Sequence, residues 1–152
     1  MVGEQDRCIQ ELPHSKIKLH DPGTGKSVVL LNPDKATVRH IRWDHCLAPA
    51  GISAADFIVS MPRIVDVIVE LKGRNVDHAT EQLEATWAVW SRHEKRAPDQ
   101  LISGWILCKQ YPRSSQKIKR AQEHFRKHGG KLLFSTHNGE ERAFAQFVPG
   151  NI

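Results

Sequence analysis

Asp56-Phe57-Ile58-Val59-Ser60-Met61-Pro62-Arg63-Ile64-Val65-Asp66-Val67-Ile68-Val69-Glu70-Leu71-Lys72-Gly73 reads as a β-hairpin. Residues 56–60 and 65–71 are rich in β-branched side chains, and Pro62 and Arg63 sit in the turn between them. In an antiparallel hairpin, cross-strand partners are arranged symmetrically about the turn. Asp56 and Glu70 are symmetric about Arg63. Unless a bulge intervenes, they lie opposite each other on one face, with Cβ atoms ~5 Å apart. Lys72 is two residues further on and points the same way. Val65, Val67, Val69 and Leu71 then point to the other face and form core.

Two carboxylates directly opposite each other on a sheet repel. A divalent cation between them removes the repulsion, and hard oxygen ligands suit Mg²⁺ or Mn²⁺. Water near such an ion is acidified and becomes a nucleophile for phosphodiesters. Lys72 would orient that water or neutralise charge building on the phosphate. The alternative is a solvated surface hairpin. We favour the metal site because Glu70 interrupts the apolar run Val67-Ile68-Val69 with Leu71 following, and a charge in a strand buried on both faces needs a partner.

Working outward, residues 1–12 read as a short helix ending at Pro13, with Cys8, Ile9 and Leu12 on its apolar side. Residues 16–20 and 27–31 read as strands around the turn at 21–25, and residues 37–43 as a third strand. After the hairpin the period changes. Ala79, Leu83, Trp87 and Trp90 recur at helical spacing, predicting a helix over 76–93 with one buried face. Asp77 near its start suits the helix dipole. Residues 102–108 form a buried strand. Residues 114–128 form a second, basic helix closed by Gly129 and Gly130. Residues 131–136 and 142–147 read as final strands around Asn138 and Gly139. The order predicts a mixed α/β domain with a central sheet.

Asp56, followed after an apolar strand by Glu70-Leu71-Lys72 and then a helix, resembles the PD-(D/E)XK, or restriction endonuclease-like, nuclease superfamily. Gln82 on that helix fits as well. The resemblance covers roughly residues 44–108. It implies an α/β fold with a mixed central sheet flanked by helices, and Mg²⁺-dependent phosphodiester hydrolysis. Asp56 and Glu70 would bind metal, and Lys72 would be catalytic, with Gln82 beside them. The sequence departs from the pattern in having Ala55 where the motif's name places proline. An additional acid often stands on the first helix of the family; here the candidates are Glu4, Glu11 and Asp44.

The chain has 152 residues, 39% apolar and 26% charged, which suits one domain over 1–152. It contains no apolar run of the ~20 residues that span a bilayer, and residues 1–6 show no signal-peptide segment. These features predict a cytoplasmic protein without a membrane partner. Cys8, Cys46 and Cys108 are widely spaced and odd in number, which predicts reduced, mostly buried thiols. The net charge of +5 permits an anionic partner. Lys117, Lys119, Arg120, Arg126 and Lys127 on the second helix form either a phosphate-binding surface or a solvated face.

Three other signals have plainer readings. Gly23-Thr24-Gly25-Lys26-Ser27 ends like a P-loop, but position 20 is His20 rather than the required glycine and a strand follows, so it reads as a hairpin turn. His40, Asp44, His45 and Cys46 lack the spacing of a zinc site. Trp43, Trp87, Trp90 and Trp105 read as core.

The expected function is therefore a nuclease using Mg²⁺ or Mn²⁺, with DNA favoured over RNA. Its small size predicts weak sequence specificity, or specificity supplied by a homodimer or a partner protein. The alternative is a non-catalytic module binding nucleic acid or protein on the same fold.

Overall fold

The computed structural model describes residues 7–73 and 75–150, with Lys72 described by its backbone alone. The hairpin is its centre. β5 (Phe57–Met61) and β6 (Val65–Gly73) are antiparallel, and their register pairs Phe57 with Val69, Ser60 with Asp66 and Met61 with Val65. This is the symmetry about Arg63 that the sequence predicts. Arg63 itself adopts a positive φ of 67° in the turn.

Around the hairpin lies a six-stranded sheet in the order β1-β4-β5-β6-β7-β8, with β1 (Ile9–Leu12), β4 (Val38–Arg42), β7 (Leu101–Cys108) and β8 (Leu132–Ser135). The β1-β4-β5-β6 half is antiparallel, and β6, β7 and β8 run parallel. The parallel connections pass through α1 (Val76–Trp90) and α2 (Gln116–Lys127). A second sheet, β2-β3-β9, comprises β2 (Lys16–His20), β3 (Ser27–Leu31) and β9 (Glu140–Ala143).

The strand period divides the core in two. Ile58, Ile68, Ile102 and Ile106 face α1 and α2, packing with Leu83, Trp90, Ile118, Ala121 and Phe125. Val59, Val65, Val67, Val69 and Leu71 face the small sheet, packing with Ile17, Leu19, Val28 and Leu30. Each helix starts at a side-chain cap: Asn75 Oδ1 accepts from the His78 N–H at 3.2 Å and Ser115 Oγ from the Ile118 N–H at 3.1 Å. Such caps satisfy otherwise orphaned N–H groups. Gly104, midway along β7, lets both helices approach the sheet. A Cβ there would lie 2.5 Å from Leu83 Cδ2 and 3.1 Å from Phe125 Cζ.

The α/β class and most elements agree with the sequence reading, but three expectations are corrected. Residues 9–12 form an edge strand, not a helix, pairing Ile9 with Ile41 and Leu12 with Val38; pairing along β4 outweighs the marginal stability of a short helix. Residues 1–6 of that expected helix lie outside the described residues. The two last strands do not pair with each other. Asn138 Oδ1 accepts from the Ser27 N–H and the Gly139 N–H donates to the Ser27 carbonyl, both at 2.7 Å, so the chain docks β9 parallel to β3 while β8 joins the large sheet. Residues 144–147 turn into a short 3-10 helix.

Among the described residues both α-helices pack on one face of the central sheet, and the small sheet and the 3-10 helix cover the other. Finally, Cys8 and Cys46 are not free thiols. They form a disulfide with Cα atoms 5.6 Å apart, because β1 runs back beside the turn after β4; Cys108 is the buried free cysteine. No helix among the described residues is long and apolar enough to cross a membrane.

Candidate active site

The β5–β6 register ends at Phe57 and Val69, and one further step would set Asp56 opposite Glu70. Asp56 leaves the regular ladder at this point. Its carbonyl accepts from the Trp43 N–H at 3.1 Å, and its side-chain Oδ2 accepts from the Leu71 N–H at 2.9 Å. The carboxylate thus takes over a backbone bond of β6, beside Glu70. Glu70 is wholly shielded from solvent, whereas Asp56 is half-buried.

Lys72 continues β6 two residues beyond Glu70, but the β6–β7 register shifts between Glu70 and Gly73. Such bulges redirect side chains and occur next to active sites. The side chain of Lys72 lies outside the described residues, as does Glu4.

The approach to Asp56 is fixed from α1. Gln82 Nε2 donates to the Ala54 carbonyl at 3.2 Å. Thr86 Oγ1 accepts from the buried Ala55 N–H at 2.9 Å and donates to the Gln82 carbonyl at 2.8 Å. Gln82 is therefore placed to position Asp56. Sequence reasoning missed Thr86, although its position four residues after Gln82 puts it on the same helix face.

Asp56 also lines a cleft of about 540 Å³ with Phe57, Lys18, His20, Asp21, His40, Arg42, Asp44 and His45. Glu70 is not among its lining residues. Asp44 and His45 belong to the irregular turn Trp43–Leu47, where His45 has a φ of 61°. Trp43 anchors that turn in the core and Cys46 ties it to Cys8. Of the candidate additional acids, Asp44 therefore shares the cleft with Asp56. Glu11 lies across from Arg39 on the edge strand β1. His40 packs its ring 5.3 Å from that of Phe57. Burial holds the His40 imidazole below its usual range, and the Arg42 charge adds to this.

The same sheet face carries a second acidic group that sequence reasoning passed over. Asp66 is fully buried, with Oδ2 accepting from Trp90 Nε1 at 2.9 Å and Oδ1 from Gln100 Nε2 at 2.6 Å. Arg96 Nε lies 3.3 Å away. Burial raises the Asp66 carboxyl despite these partners. The network ties the end of α1 and the loop after it to the hairpin.

On α2, Lys117 pairs with Glu81 of α1, and Arg126 with Glu123. Lys119, Arg120 and Lys127 are exposed. A larger cleft of about 690 Å³ opens between the starts of the two helices, lined by Asn75, Ser115, Lys109, Tyr111 and Arg113 among others, and includes neither Asp56 nor Glu70.

No group of three or more His, Cys, Asp or Glu among the described residues is arranged to hold a metal ion. Asp56 and Glu70 are the two acids that the hairpin brings to one sheet end, and Mg²⁺ commonly takes only one or two carboxylates from a protein. No family model matches the chain, and no curated protein or solved structure matches it either.

Proposed function

We propose that the protein is a Mg²⁺- or Mn²⁺-dependent nuclease on a restriction endonuclease-like fold, with DNA favoured over RNA. The observation that carries the reading is the bond from the Leu71 N–H to Asp56 Oδ2, which brings the two acidic positions of the hairpin to one sheet end. The hairpin register and the helix that follows support the same family resemblance. Asp56 and Glu70 would hold the ion, with Gln82 and Thr86 fixing the approach to Asp56 and Lys72 assisting at the phosphate. A cation bound there supplies Lewis acidity at the phosphate and lowers the pKa of the attacking water.

The cytoplasmic setting belongs to the same proposal, and the Cys8–Cys46 bond bears on it, since disulfides are rare in the reducing cytosol. One observation favours a second reading, a nucleic-acid-binding module without catalysis: Glu70 is completely buried and away from the cleft lining.

The test is cleavage of circular single-stranded DNA, supercoiled duplex DNA and a structured RNA, with Mg²⁺, Mn²⁺ or EDTA, beside Lys72→Ala. Cutting that needs metal and disappears in the variant supports the nuclease. Folded protein that cuts nothing in saturating metal supports the binding module.

A further inference from the structure

We infer that the cleft beside Asp56 is a binding groove for a single strand of nucleic acid, held by Lys18 and Arg42 on its phosphates. The choice of ligand rests on the nuclease reading, but the chemistry of the groove stands by itself. Two elements remote in sequence build it. β2 of the small sheet contributes Lys18 and His20, and β4 of the large sheet contributes His40 and Arg42.

Along β2 the alternation is strict, with Ile17 and Leu19 in the core and Lys18 and His20 exposed. Among the described residues neither Lys18 nor Arg42 forms an ion pair, unlike Lys16, Lys117 and Arg126. The acids of the cleft do have internal donors. Asp21 accepts from the Gly23 N–H at 3.1 Å and Thr24 Oγ1 at 2.9 Å, Asp44 lies 3.4 Å from His45 Nε2, and Asp56 holds the Leu71 N–H. Lys18 and Arg42 stand exposed at this groove beside those acids.

The aromatic pair His40 and Phe57 stands in the same wall. Cations that track a backbone, next to rings that accept a base, are the combination by which proteins hold single strands. A strand lying in the groove passes Asp56.

The test is equilibrium binding of a fluorescent oligothymidylate to the full chain in EDTA, where nothing is cut. It is read at several salt concentrations for wild type, Lys18→Ala/Arg42→Ala and the α2 comparator Lys119→Ala/Arg120→Ala. Both cleft residues are exposed, and circular dichroism checks that each variant folds. Removing two phosphate contacts is expected to weaken binding about tenfold or more, and to lower the salt slope by roughly 1.4, at about 0.7 per contact on a single strand. The α2 variant is expected to lose less.

Wild-type affinity in the cleft variant overturns the proposal. Tighter binding of a duplex of the same sequence than of the single strand overturns its single-strand part. Because no metal is present, a failure of catalysis leaves this measurement untouched. Conversely, a protein that cuts DNA yet ignores the cleft variant would keep the nuclease reading and lose this one.

Discussion

The Asp56 carboxylate accepts a hydrogen bond from the backbone N–H of Leu71, the residue directly after Glu70, at 2.9 Å. The same side chain is thus a structural acceptor and a candidate metal ligand, and two substitutions separate these roles. Asp56→Asn keeps an oxygen for the Leu71 N–H and removes the charge. Asp56→Ala removes both and leaves a part-buried N–H short of its acceptor, at a cost of about 1–3 kcal/mol. Denaturant unfolding is expected to show the alanine variant destabilised by that amount and the asparagine variant close to wild type. Neither is expected to cut nucleic acid. An asparagine variant that cuts at the wild-type rate would exclude Asp56 as a ligand.

The hairpin was legible because its information is local. Register, face and turn all lie within residues 56–73, and the structure keeps the symmetry about Arg63. α1 and α2 were legible from their apolar period and their ends. What escaped depends on contacts far apart in sequence. β1 is a strand only because β4 lies beside it. Cys8 and Cys46 are separated by 38 residues, and their spacing alone gave no sign of a pair. Lys18, His20, His40 and Arg42 meet in one cleft through the packing of two sheets, which no periodicity reveals. Asp66 was in view from the start, but its partners Trp90, Gln100 and Arg96 come from α1 and the loop after it.

Thr86 offers a test of positioning from α1. Its hydroxyl accepts from the buried Ala55 N–H, one residue before Asp56. Thr86→Val keeps the shape and removes the acceptor, which is expected to cost about 1–3 kcal/mol. Because the loss falls at Asp56, nuclease activity is expected to drop in the variant even at temperatures where it is fully folded. Thr86→Ser retains the hydroxyl and is expected to restore both properties. Activity in the valine variant equal to that of wild type would show that Ala55 needs no anchor.

The Cys8–Cys46 bond closes a long loop and holds the turn that presents Asp44 and His45 to the cleft. Cross-links of this kind contribute about 2–4 kcal/mol, mainly by restricting the unfolded chain. Cys46→Ser is expected to lower stability within that range. Dithiothreitol is expected to reproduce the loss in wild type and to have no further effect on the variant. A wild-type protein whose unfolding midpoint ignores the reductant would contradict the bond in solution.

Between α1 and α2, the His124 ring meets Trp87 at 4.5 Å and His128 at 4.9 Å. Burial holds the His124 imidazole below its ordinary value, and the neighbouring His128 charge lowers it further. A base with a depressed folded pKa contributes stability above its unfolded value of about 6.5, and that contribution is lost as pH falls through the lowered folded value. Acidification from about pH 7.5 to about pH 5 is therefore expected to loosen the helix pair. His40 and His93 are also lowered by burial, so wild type is compared with His124→Phe, which keeps a ring and removes one titration. The variant is expected to lose less Tm over that interval. Equal losses would mean that His124 does not titrate differently in the folded state.

The metal reading makes a thermodynamic claim that needs no substrate. An ion that binds only the folded protein stabilises it by RT ln(1 + [L]/Kd), about 2.7 kcal/mol at a hundredfold excess over Kd. Titration with Mn²⁺ is therefore expected to raise the Tm of wild type in a saturable, EDTA-reversible way. Glu70→Gln retains the shape of the buried side chain and removes its charge, so its Tm is expected to respond little or not at all. Asp56→Asn is expected to behave alike, since each variant removes one of the two carboxylates. Asp44→Asn separates a third acid from the pair: a response like that of wild type confines the ligands to Asp56 and Glu70, and a lost response adds Asp44 to them. If wild type itself gains no stability in millimolar Mn²⁺, the carboxylate pair binds no ion and the nuclease proposal fails at its first step.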